Sequence, residues 1–97
     1  MKILLVCAAG ASTSIVMKKM EKYAEENGID LSVRAYSYEE YEPVAAESDV
    51  ILLGPPIGYR LSAVKESVPQ PADTIAPMDY ALGDAAKIIA QAQKLLG

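Results

Sequence analysis

Hydrophobic positions along the chain gather into four short runs, KILLVCA, DLSVRAYS, DVILLGP and DTIAPMD, separated by stretches with helical spacing. The first and third are nearly continuous, which predicts strands covered on both faces of a parallel sheet. The second alternates, with Leu31, Val33 and Ala35 on one side and Ser32, Arg34 and Tyr36 on the other, which predicts an edge strand with one wetter face. From about Ser12 to Asn27, Val16, Met20 and Tyr23 or Ala24 recur as one apolar stripe, and Lys18, Lys19, Glu21, Lys22, Glu25 and Glu26 cover the outer side. Gly28 is the expected stop of that helix. The segment YEEYEPVAAES, broken by Pro43, predicts a short, poor helix, and YRLSAVKESV a modest one. YALGDAAKIIAQAQKLL predicts a long closing helix with Leu82, Ala86, Ile89 and Leu96 turned inward. Strand and helix thus alternate four times. The expected fold class is α/β: a three-layer domain with a four-stranded parallel sheet and helices on both faces. Such sheets take ligands just beyond the carboxyl ends of their strands. Cys7, the segment Gly54 to Tyr59 and the segment Pro77 to Tyr80 fall at those ends.

Composition narrows the function classes. Ninety-seven residues, 52% of them hydrophobic, suit one domain spanning 1–97, and the lack of charge runs or low-complexity tracts predicts no tail or linker. A net charge of −4 argues against nucleic acid as a partner, because phosphate-backbone binding needs a basic face. No stretch approaches the roughly 20 apolar residues of a membrane span. MKILLVCAAGAS imitates a signal peptide, but hydroxyl residues and a helix follow it directly, so it reads as the first strand. One cysteine forms no internal disulfide, and the cytoplasm is the expected compartment. With no histidine, a Cys–His or Ser–His pair within the chain and a zinc site are both excluded. No G-x-x-x-x-G-K-S/T stretch supports a nucleotide P-loop, and neither a metal nor a cofactor is called for. Glu39, Glu40 and Glu42 read as a solvated face, and Asp79 as a cap for the last helix.

The single cysteine is placed with care. CAAGASTS joins the first strand to the first helix, and backbone amides in a glycine-containing turn at a helix N-terminus favour an anion. Helix N-termini in general favour a thiolate over a thiol at an adjoining cysteine. Ala8, Ala9, Gly10 and Ala11 are small enough to let a phosphate-sized group reach the backbone, and Ser12, Thr13 and Ser14 supply hydroxyls for capping or for that group. Two readings of Cys7 stay open on these residues. It is a phosphoryl-accepting nucleophile, or it is a small core residue at a strand end, as free cysteines usually are.

Three segments together resemble a known family. CAAGASTSIVMKKM is similar to the phosphorylation loop of the IIB subunits, lactose/cellobiose type, of the bacterial phosphoenolpyruvate-dependent sugar phosphotransferase system. DVILLGPPIGYRL resembles that family's GP-x-I-x-Y signature, and PMDYALGDAAKIIAQA its closing strand and helix. The resemblance implies a strand order 2-1-3-4, in the layout of low-molecular-weight tyrosine phosphatases. It implies that Cys7 attacks the phosphohistidine of a IIA subunit and becomes phosphocysteine. The phosphoryl group then passes to a β-linked disaccharide such as cellobiose, chitobiose or lactose, held by the membrane IIC permease. Ala8 through Ser14 would cradle the phosphate, and Gly54, Pro55 and Tyr59 would form the neighbouring rim or docking surface. Ala11 departs from the family, where methionine is common, and basic residues near the loop are sparse: Arg60 is the nearest by topology and reads as a surface residue. A carrier that docks two partners in turn needs modest interfaces, so a monomer is expected. Two alternatives stand beside this one. A phosphatase-like hydrolase would need the arginine of C-x-x-x-x-x-R-S/T, where this chain has Thr13. A flavodoxin-like binding module would use the same scaffold without chemistry at Cys7.

Overall fold

A computed structural model describes residues 1–8 and 11–97, with the backbone alone for residues 11–13. Its elements are β1 (Lys2–Cys7), α1 (Ala11–Glu26), β2 (Ser32–Ser37), α2 (Glu42–Ala45), β3 (Val50–Leu53), a 3₁₀ segment (Pro55–Arg60), α3 (Leu61–Ser67), β4 (Ala72–Thr74), α4 (Pro77–Leu82) and α5 (Ala85–Leu96). The sheet is all parallel in the order β2-β1-β3-β4, as expected. Residues of β1 stand opposite β2 from Lys2–Ser32 to Cys7–Ser37, and opposite β3 from Ile3–Val50 to Val6–Leu53. The carboxyl ends of the strands therefore lie along one edge.

The continuous apolar runs explain the layering. In β1 and β3 every residue from Ile3 to Cys7 and from Val50 to Leu53 is buried, because successive side chains enter opposite cores. Ile3, Leu5, Val50 and Leu52 pack with Val16 and Met20 of α1 and with Ile88, Ile89 and Ala92 of α5. Leu4, Val6, Ile51 and Leu53 pack on the other face with Tyr41, Ala45, Ile57 and Val64. Strand β2 is the wetter edge: Val33 is buried, while Ser32 and Arg34 are exposed. Gly28 adopts φ +64° just after α1, where an L side chain would be strained.

Four local expectations are corrected. Pro43 does not break a helix. It lies in the first turn of α2, where its missing N–H costs nothing and its fixed φ suits the helix. The closing segment is two helices, because Gly83 at φ +60° caps α4 and the Asp84 carboxylate then accepts from the Lys87 N–H (3.2 Å) to begin α5. The change of axis alters the inward face. Ala85, Ile88, Ile89 and Ala92 are buried, so Ile89 alone of the four expected residues lies inside, and Leu82, Ala86 and Leu96 are exposed. Asp84, not Asp79, therefore caps the last helix.

Candidate active site

Cys7 is the last residue of β1, at the carboxyl edge of the sheet and 4% exposed. Its backbone is held from both sides. The Tyr38 N–H donates to the Cys7 carbonyl (3.0 Å), and the Gly54 N–H donates to the Val6 carbonyl (2.9 Å). The thiol makes a weak hydrogen bond to the Tyr36 carbonyl, with 3.6 Å between sulfur and oxygen. An open depression of about 360 Å³ fronts the cysteine, lined by Ser14, Ala35, Tyr36, Ser37 and Glu40. The Ser37 hydroxyl donates to the Glu40 carboxylate at 3.0 Å. Helix α1 starts at Ala11, so the partial positive end of its dipole is directed to this edge, where anions are favoured.

A second depression of about 220 Å³ adjoins the first at Ser37. Ala8, Tyr38, Glu39, Ile57, Tyr59 and Arg60 line the rest of it. The Arg60 guanidinium carbon lies 4.3 Å from the Tyr38 ring centroid and 5.1 Å from that of Tyr59, both within cation–π range. The neighbouring Tyr59 side chain, then that of Tyr38, pushes the already high Arg60 pKa further up. No cluster of three or more metal-ligating side chains occurs among the described residues.

The structure brings most of the expected residues to one edge. Ala8 and Ser14 are both exposed there. Ala9 and Gly10 lie outside the described residues, as do the side chains of Ala11, Ser12 and Thr13. Gly54 follows β3 directly, Pro55 opens the 3₁₀ segment, and Tyr59 is 76% exposed at the rim. A Cβ on Gly54 would meet the Tyr80 ring at an ordinary 3.7 Å, so space alone does not demand glycine. The solvated acidic face is indeed exposed, yet Glu40 also lines the cysteine depression. Sequence reading missed the aromatic shelf of Tyr38 and Tyr59 under Arg60. The available signal was the arginine directly after Tyr59, at the end of a parallel strand's loop.

The fold and the site together define a class: a doubly wound α/β domain that ends its central strand in a buried-backbone cysteine and opens a helix just beyond. The chain belongs to the family of lactose/cellobiose-specific IIB subunits of the phosphotransferase system (PTS), whose model matches residues 2–91. It is 36% identical over 102 residues to the galactose-specific EIIB component of Lactococcus lactis subsp. cremoris, covering 97% of this chain and 94% of that protein. The oligo-beta-mannoside-specific EIIB component of Bacillus subtilis is 30% identical over 98 residues, covering 98% and 95%. Among solved structures, the cellobiose-specific IIB component of Borrelia burgdorferi superposes with a TM-score of 0.83 at 31% identity, over 99% of this chain and 91% of that one. The lactose-specific IIB domain of Streptococcus pneumoniae shares the fold, with a TM-score of 0.83 at 15% identity over 95% and 96%. The protein is thus a phosphotransferase-system component of the lactose/cellobiose type, with a phosphatase-like fold. No helix among the described residues is long and apolar enough to cross a membrane.

Proposed function

We propose that this protein is a cytoplasmic phosphocarrier in which Cys7 accepts a phosphoryl group from the phosphohistidine of a IIA subunit. The Cys7 sulfur forms a bond to phosphorus as the phosphorus–nitrogen bond to imidazole breaks, and the thiol proton is exchanged for one on the departing imidazole. A hydroxyl of a β-linked disaccharide held by the IIC permease then attacks phosphorus. The sulfur–phosphorus bond breaks, the thiolate is regenerated, and the hydroxyl proton passes to solvent. The chain has no histidine, so the imidazole of the first step must come from the partner. In this reading the residues Ala8 through Ser14 surround the phosphoryl group, and Gly54, Pro55 and Tyr59 form the docking rim.

The observation that carries the reading is the position of Cys7. Its backbone is fixed on both sides at the sheet's carboxyl edge while its side chain fronts an open depression. A core cysteine needs no such opening. Fixing the attacking atom before the donor arrives lowers the entropic part of the barrier. Donors at a helix N-terminus stabilise the charge spread over the transferring group.

Intact-mass spectrometry after incubation with a phosphorylated IIA protein of the lactose/cellobiose type tests this. Wild type should gain the mass of one phosphoryl group and Cys7→Ser none, since a serine hydroxyl is far less ionised than a thiol at neutral pH. Equal gain in both proteins, or none in wild type, would refute the assignment.

A further inference from the structure

Arg60 has no carboxylate partner among the described residues. The ion pair formed among the described residues, Arg34–Glu47, lies at the opposite edge of the sheet beside Lys2 and Ser32. Glu39 lines the same depression as Arg60 without pairing with it. Stacking on aromatic rings engages the face of a guanidinium and leaves its in-plane N–H donors to an oxyanion. Arg60 lies over the Tyr38 and Tyr59 rings at cation–π distance, lining the same rim depression as Ala8. The position is telling in a chain of net charge −4, which on average repels an anionic partner.

Which anion it meets follows from its place. Arg60 lines the depression next to the one that holds the cysteine, and the two share Ser37. That puts the guanidinium on the approach to Cys7 and not around the sulfur. The shared Ser37 makes the two depressions neighbours, and a charge acts on another most strongly within about 8 Å at physiological ionic strength. Of the two partners in the proposed cycle, the donor arrives bearing the negative phosphoryl group and leaves without it, whereas a disaccharide is neutral.

We propose that Arg60, shelved on Tyr38 and Tyr59, is a docking residue that makes this protein bind the phosphorylated donor in preference to the unphosphorylated one. The proposal rests on the phosphocarrier reading above. It assigns Arg60 to partner discrimination, not to the chemical step. After transfer the donor has lost the charge that Arg60 attracts, so the same residue favours its release.

The test is equilibrium binding of a lactose/cellobiose-type IIA protein, phosphorylated and unphosphorylated, to Cys7→Ser and to Cys7→Ser/Arg60→Gln at low and high salt. The serine background blocks transfer, so binding is read apart from chemistry. For Cys7→Ser, the phosphorylated donor should bind roughly 2- to 5-fold tighter at low salt, the range of a partly exposed charge pair. High salt should shrink that preference. Arg60→Gln should remove it without changing affinity for the unphosphorylated donor, and Arg60→Lys should keep it. Circular dichroism confirms that each variant is folded. An unchanged preference in Arg60→Gln, an equal loss for both donor forms, or a loss in Arg60→Lys as large as in Arg60→Gln would overturn the proposal. Failure of wild type to gain a phosphoryl mass would instead refute the carrier reading, and the two failures are read in separate experiments.

Discussion

Tyr41 precedes α2 and is 1% exposed, its ring tilted 34° against that of Tyr38 with centroids 5.5 Å apart. Its hydroxyl is enclosed and has no hydrogen-bond partner among the described residues. The Ser67 hydroxyl donates instead to the Ala63 carbonyl at 2.9 Å. Burial pushes the Tyr41 phenol above its ordinary pKa, and the nearby Ser67 hydroxyl, too poorly placed to form a hydrogen bond with it, opposes this in part. A buried polar group left unsatisfied costs about 1–3 kcal/mol, and Tyr41→Phe removes it while leaving the packed ring in place. A net gain of about 1 kcal/mol is expected, which in a domain of this size raises Tm by roughly 4–8 °C. The sign of the pH effect follows from the raised pKa. Above about pH 10 the unfolded chain releases the phenolic proton while the folded chain retains it. The contribution of Tyr41 is therefore complete below that pH and is lost as pH rises towards the folded value. Thermal unfolding followed by circular dichroism should show the variant more stable at pH 7. Above pH 10 the variant should lose less stability than wild type. A variant melting several degrees below wild type at pH 7 would refute the reasoning, because it would mean that the hydroxyl is bonded, for example through a buried water.

Two further outcomes test the packing. A Cβ at Gly83 (φ +60°) would fall 2.8 Å from Lys19 Cδ, whereas at Gly28 (φ +64°) nothing lies within 4 Å. Both alanine variants should lose about 1 kcal/mol from the backbone alone, and Gly83→Ala should lose more; equal losses in urea titrations would show that Lys19 swings aside freely. Gln91 donates to the Asp73 carboxylate (2.9 Å) and the Thr74 carbonyl (2.8 Å), tying α5 to the three-residue strand β4. Gln91→Leu strands both acceptors and should cost about 1–3 kcal/mol, read as a lower denaturation midpoint at unchanged slope; a midpoint equal to wild type would refute that role.

What the sequence disclosed is what depends on periodicity. The unbroken runs Ile3–Cys7 and Val50–Leu53 required cover on both faces, and the alternation through Val33 marked an edge; these place Cys7 at the carboxyl edge without further information. Boundaries set by a single backbone angle were harder. The apolar spacing of YALGDAAKIIAQAQKLL continues across Gly83, so the pattern suggested one helix, although Gly followed by Asp is also a stop-and-start signal. Pro43 was misread because proline in a first turn and proline in a helix interior look alike until the start is known. The shelf under Arg60 was illegible for another reason. Tyr38 comes from the loop after β2 and Tyr59 from the 3₁₀ segment after β3, and only strand order brings them to one guanidinium.

Because all four strands run the same way, the molecule has two rims of unlike character. At one, the ends of β1, β2 and β3 gather around Cys7 and Arg60. The other holds the turns before β2 and β3, the Arg34–Glu47 pair and a cavity of only about 30 Å³, room for little more than a water. A tether, a reporter dye or a few extra residues placed at this idle rim sits across the full length of the sheet from the cysteine. The fold thereby separates where the protein can be modified from where it must be left alone.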